Sequence, residues 1–167
     1  MNILIAHGRG GSPNDKLIVH LARESEAQGF VAERIDDHDT QNPDTRAARL
    51  TERILAANRP VILAGFSMGG YACVLAAERT ALVQGLFLIA PGLYLPRYQQ
   101  SHYRHDLPNV ELVHGWDDDV VLYEHSLRFA RDCRAPLHLL PGDHMLNAQI
   151  PAIRTLFAQY LKRFTQP

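Results

Sequence analysis

Short apolar runs alternate with helix-length stretches along almost the whole chain, and this alternation restricts the possible folds more than any other feature. The runs are Asn2–Ala6, Val31–Ile35, Pro60–Ala64, Leu86–Ala90, Glu111–His114 and Leu137–Leu140. Each is short enough, and rich enough in Ile, Leu and Val, to form a buried strand. The stretches between them, Asp15–Gln28, Asp44–Ala57, Met68–Arg79, Val120–Arg131 and Ala148–Lys162, have helical length and spacing. Asn42-Pro43-Asp44 adds a start signal to the second: an N-cap residue, proline at the first helical position and an acid in the first turn. Such alternation requires right-handed crossovers and helices on both faces of the sheet. The expectation is a three-layer α/β/α sandwich on a mostly parallel six-stranded sheet, formed by one domain over residues 1–167. Only residues 91–108 connect two strands without a clear helix, and they are expected at the carboxyl edge.

Composition narrows the class of function. The 167 residues suffice to bury a core without disulfides or metal. With 17 basic and 18 acidic residues, the formal charge of −1 gives no global field for nucleic acid or an anionic membrane, so a small-molecule partner is expected. Cys73 and Cys133 form neither a CxxC pair nor a secreted framework, and Cys73, in an apolar helix, reads as an inert buried thiol. The start lacks a basic segment followed by a long apolar one, and Leu86–Leu95 is broken by Pro91-Gly92. No signal peptide or membrane span is expected, and a cytoplasmic location follows as an expectation.

Ligands of a parallel sheet sit beyond the carboxyl ends of its strands, so the residues after each run form the functional inventory. They are His7-Gly8-Arg9-Gly10-Gly11, Asp36-Asp37-His38, Gly65-Phe66-Ser67-Met68-Gly69, Pro91-Gly92, Gly115-Trp116-Asp117-Asp118-Asp119 and Pro141-Gly142-Asp143-His144. The third places a serine between glycines at a strand-to-helix turn, beside helix N–H groups that lack intrahelical partners. That pattern alone arises by chance in roughly one such chain in twenty. Its weight comes from the aspartate and histidine that follow later strands. A serine hydroxyl needs an imidazole to take its proton and a carboxylate to orient that imidazole, and parallel strands bring all three to one edge.

The order Ser, Asp, His, together with His7-Gly8, Gly65–Gly69, His114-Gly115-Trp116-Asp117-Asp118 and Gly142-Asp143-His144, resembles the α/β-hydrolase superfamily over nearly the whole chain. The resemblance is to its small, capless bacterial serine esterases, since the usual initial antiparallel strand pair and cap are lacking. It implies Ser67 as nucleophile, His144 as base and Asp118 as acid, with Asp117 the alternative acid and Asp119 placed to cap a helix opening at Val120. It also implies an oxyanion hole made by the backbone N–H groups of Met68 and Arg9, with Gly10 as runner-up for the second. The implied activity is hydrolysis of small esters or thioesters; amide hydrolysis and a catalytically silent binding scaffold are the alternatives.

His7 is expected to brace its loop, and the Arg9 side chain to be a solvated charge, an inward turn toward a carboxylate-bearing substrate being its alternative. His102 and His105 read as part of a polar surface segment, with no fourth ligand for a metal identifiable. Pro13 stands where a dinucleotide loop needs its third glycine. Neither metal nor cofactor is expected. Trp116, Leu93, Tyr94, Tyr98, Met145 and Leu146 are the expected walls of a shallow pocket, and the oligomeric state is left open.

Overall fold

The computed structural model describes residues 1–165; the last two residues of the expected domain lie outside the described residues. Its elements run β1 (Asn2–Ala6), α1 (Lys16–Ala27), β2 (Val31–Ile35), α2 (Pro43–Ala57), β3 (Val61–Phe66), α3 (Met68–Arg79), β4 (Val83–Ile89), β5 (Val110–Gly115), α4 (Tyr123–Cys133), β6 (Leu137–Leu140) and α5 (Ile150–Leu161). The six strands form one sheet in the order β2-β1-β3-β4-β5-β6, and every pairing is parallel. The chain steps from β1 to β2 on one side and returns to β3 on the other. The carboxyl ends of β1 and β3 therefore flank the point where the winding reverses, the place where such sheets hold ligands.

Apolar side chains on the two faces of the sheet build two cores. On one face, Leu50 and Ile54 of α2, Val74 of α3 and Phe129 of α4 pack with Leu63 and Leu88 of the central strands. On the other, Ile18 and Leu21 of α1 and Ile153 and Phe157 of α5 pack with Ile5, Ile62 and Phe87. Every residue of β3 is buried, as a continuous apolar run between two helical layers must be, whereas edge strand β2 carries Glu33 and Arg34 and buries only Ile35. At the start of α2, Asn42 Oδ1 accepts the N–H groups of Asp44 and Thr45 at 3.0 Å each, with Pro43 at the first helical position.

The connection from β4 to β5 is held by side chains. Tyr71 of α3 donates its hydroxyl to Asp44 Oδ1 (2.6 Å) and accepts the Gln100 N–H (3.3 Å), while Tyr103 donates to Gln100 O (2.9 Å). The rings of Tyr98 and Tyr103 meet Tyr71 edge-on. This pins residues 98–103 over α2 and α3 and leaves residues 95–98 beside the end of β3. No cap domain is inserted among the described residues, and no helix of the described residues is long and apolar enough to cross a membrane.

Candidate active site

Ser67 occupies a one-residue bend between β3 and α3, with φ 53° and ψ −117°. A non-glycine residue there is strained, and its neighbours impose the geometry. A Cβ added at Gly65 would lie 2.6 Å from Gly69 O, and one at Gly69 would lie 2.2 Å from Ala6 O. Only glycine at both positions allows α3 to start this close to β1 and β3. The Ser67 backbone is locked as well: its N–H donates to Ile89 O (3.0 Å), and its carbonyl accepts the N–H groups of Gly92 (2.9 Å) and Tyr71 (3.2 Å).

The histidine reaches this serine from the far side of the sheet. Asp143 Oδ1 accepts the Met145 and Leu146 N–H groups at 3.1 and 3.2 Å, a side-chain turn that presents His144. Its loop is tied to the one after β5, where Trp116 N–H donates to Leu140 O and Asp117 N–H to Gly142 O, at 2.9 and 3.0 Å. His144 Nε2 lies 2.9 Å from Ser67 Oγ and Nδ1 lies 2.7 Å from Asp118 Oδ2. Phe66 packs against the imidazole with ring centroids 5.1 Å apart.

Asp118 is buried and satisfied on both oxygens. Oδ1 accepts the Val120 and Val121 N–H groups at 2.9 Å each. Oδ2 meets His144 and, at 2.9 Å, His114 Nε2. His114 Nε2 also faces Val121 O at 2.8 Å; both partners are acceptors, so this nitrogen carries the proton, while Nδ1 lies 2.7 Å from Ser126 Oγ. Burial alone would raise the Asp118 carboxyl, but hydrogen bonds from His114, His144 and the Val121 amide outweigh it and hold the group well below the usual carboxylate range. Asp118 also takes the part expected of Asp119: its own carboxylate caps the turn after β5, and α4 begins only at Tyr123, with Leu122 at its N-cap. Asp117 and Asp119 lie outside this network.

The loop after β1 supplies two backbone N–H groups of different character. Gly10 N–H donates to Gln41 Oε1 at 3.0 Å. Arg9 N–H, like that of Met68, makes no protein hydrogen bond among the described residues. Gly8 O, across the same peptide from Arg9 N–H, accepts from Arg46 Nη1 (3.1 Å) and Gly11 N–H (3.2 Å) and faces His7 Nδ1 at 2.8 Å. A trans peptide directs its N–H opposite to its carbonyl, so these donors aim the Arg9 N–H away from Arg46. Arg46 is fully buried and also donates to His7 O and Thr40 O. His7 Nε2 accepts the Asp37 N–H at 3.2 Å, which makes His7 the expected brace.

The serine hydrolase family matches residues 3–150 of this chain. The chain belongs to that family. Among solved structures, a proposed hydrolase of the α/β superfamily from Xanthomonas campestris pv. campestris is similar at 26% identity, covering 97% of this chain and 98% of that one with a TM-score of 0.89. Est1E from Butyrivibrio proteoclasticus shares the fold at 18% identity (98% and 88% covered, TM-score 0.83). XC6422 from Xanthomonas campestris, an α/β serine hydrolase without a lid, does so at 21% identity (99% and 84% covered, TM-score 0.75). No curated protein matches. The chain is thus a serine hydrolase with the capless α/β-hydrolase fold.

In this hydrolase Ser67 and His144 open onto a cleft of about 410 Å³. Gly8, Arg9 and Gly10 form one side and Leu95, Arg97 and Tyr98 another; Val120, Val121 and Met145 close the remainder. Of the six expected wall residues, Tyr98 and Met145 line it. Leu93 and Leu146 turn inward and are buried in the two cores, where the hydrophobic effect places them. Tyr94 packs edge-on against Tyr103 with the Arg128 guanidinium 4.1 Å from its ring, and Trp116 is half exposed against Tyr123. Arg9 is solvent-exposed and is also among the residues that line the cleft. Asp15, Phe66, Leu95, Arg97, Val120 and Val121 also line the cleft and were not among the expected walls. His102 Nδ1 lies 3.1 Å from Ser101 Oγ and His105 Nε2 lies 3.9 Å from Asp132 Oδ2. Cys73 is buried, and burial raises its thiol far above the usual range.

Proposed function

We propose that this serine hydrolase cleaves small esters or thioesters through an acyl-enzyme on Ser67. The observation that carries the proposal is the hydrogen-bonded run from Ser67 Oγ through His144 to Asp118 at the mouth of the cleft. His144 Nε2 takes the hydroxyl proton as Ser67 Oγ bonds to the carbonyl carbon, and Asp118 holds the imidazole in the tautomer with Nδ1 protonated. The N–H groups of Arg9 and Met68 receive the oxyanion. The engagement of Gly10 by Gln41 supports Arg9 as the second donor. The tetrahedral adduct collapses with cleavage of the bond to the alcohol or thiol, which takes the proton from His144. A water then adds to the acyl carbon, giving its proton to His144, and Ser67 leaves as the hydroxyl with the free acid as product.

Ser67→Ala tests this with chromogenic esters: kcat should fall about 10⁴- to 10⁶-fold in a preparation free of contaminating esterase. Retained turnover would place the chemistry elsewhere. In a series of acyl lengths, the open cleft supports a maximum at acetyl to butyryl; a maximum at long acyl chains would contradict the small-substrate assignment.

A further inference from the structure

The polar groups of the cleft carry more charge than ester cleavage requires. Arg9 comes from the loop after β1 and Arg97 from the connection after β4, and both line the cleft that contains Ser67. Neither guanidinium makes a hydrogen bond or ion pair among the described residues, so both are free to meet a ligand in the cleft. Tyr98, next to Arg97 in sequence, lines the same cleft. Its ring is largely buried, and its hydroxyl reaches solvent in the cleft with no protein hydrogen-bond partner among the described residues. Burial raises this phenol above its ordinary value, and the positive charges of Arg97, Arg9 and Arg46 act on it in the opposite sense. The one carboxylate in the wall, Asp15, is occupied by Ser12, whose N–H and hydroxyl lie 3.1 and 3.3 Å from its two oxygens.

We propose that Arg9, Arg97 and Tyr98 form a subsite for a carboxylate, and that the preferred substrates are esters whose acyl or alcohol part ends in one. This inference rests on the esterase reading of Ser67. Two cations against one carboxylate leave a single positive charge, which suits a monoanion rather than a phosphate dianion. Leu95, Val120 and Met145 add apolar surface to the same cleft for the carbon chain of such a substrate. A guanidinium and a phenol hydroxyl together supply the donors that two carboxylate oxygens accept.

The test compares pairs of substrates that differ by one charge: mono-4-nitrophenyl adipate against 4-nitrophenyl methyl adipate for the acyl side, and 4-butyryloxybenzoate against its methyl ester for the alcohol side. In at least one pair the anion should be favoured in kcat/KM by about ten- to a hundredfold, the effect of a charge-assisted hydrogen bond. That ratio should shrink in high salt and drop toward unity in Arg97→Gln, Arg9→Gln and Tyr98→Phe, each variant serving as its own reference through the neutral ester. Neutral esters turned over with no preference for either anion would overturn the subsite and leave the esterase reading standing. A preference unchanged in all three variants would also overturn it. Failure to turn over any of the four esters, with no covalent labelling of Ser67, would remove the esterase reading and the subsite together.

Discussion

Asp118 concentrates the polar chemistry of the site in one buried carboxylate. Its two oxygens meet two backbone N–H groups and two imidazoles, so removing its charge strands several donors at once. Asp118→Asn should lower kcat by about 10⁴, because an amide cannot hold His144 in the required tautomer. Asp117→Asn and Asp119→Asn should stay within about tenfold of the parent. Steady-state kinetics on one neutral ester checks the ranking, and a larger loss at Asp117 would refute the assignment. The same carboxyl contributes to stability with a definite sign. Its folded value lies below its unfolded one, so its stabilisation is complete above the ordinary carboxylate range and is lost as pH falls through the depressed value. Thermal unfolding followed from pH 6 downward should therefore show an acid-dependent loss of Tm that is smaller in Asp118→Asn.

At the level of elements, the site is a set of loops held by parts that lie outside it. Arg46 reaches from α2 to the carbonyls of Thr40, His7 and Gly8, and so fixes the peptide that carries the Arg9 N–H. Arg46→Met should destabilise the fold by roughly 1–3 kcal/mol, from unsatisfied buried carbonyls. It should also lower kcat more than it raises KM if the Arg9 N–H acts on the transition state. Urea unfolding and ester kinetics give the two numbers, and Arg46→Lys should recover part of both. Gly69→Ala should cost about 1–3 kcal/mol or more, since the new methyl group would meet Ala6 O. The strands and helices were legible because burial imposes periodicity: β1, β2, β6 and α3 have the expected limits, while β3 and β4 extend to Phe66 and back to Val83. Ser67, Asp118 and His144 were legible because each follows a strand. The clamps were not. Arg46, Gln41 and His114 act across the fold on backbone or on another side chain, and no local spacing encodes such contacts. Leu93 and Leu146 follow strands as Arg97 and Val121 do, yet the chain turns them inward, a difference decided by packing.

For the whole molecule, the winding reversal between β1 and β3 explains why a chain this small can assemble such a site. The loop with the Arg9 N–H and the bend bearing Ser67 leave adjacent strands, Ala6 pairing with Gly65, while β5 and β6 deliver Asp118 and His144 from the other half of the sheet. The cleft lies where these four loops meet and opens without a cap. The central claim is that this convergence makes Ser67 a nucleophile. Treating the folded protein with a fluorophosphonate and mapping the adduct by peptide mass spectrometry tests it most directly. The account predicts one adduct, on Ser67, lost in His144→Ala and in heat-unfolded protein. A folded protein that repeatedly leaves Ser67 unlabelled, or carries the adduct on another serine, would contradict it.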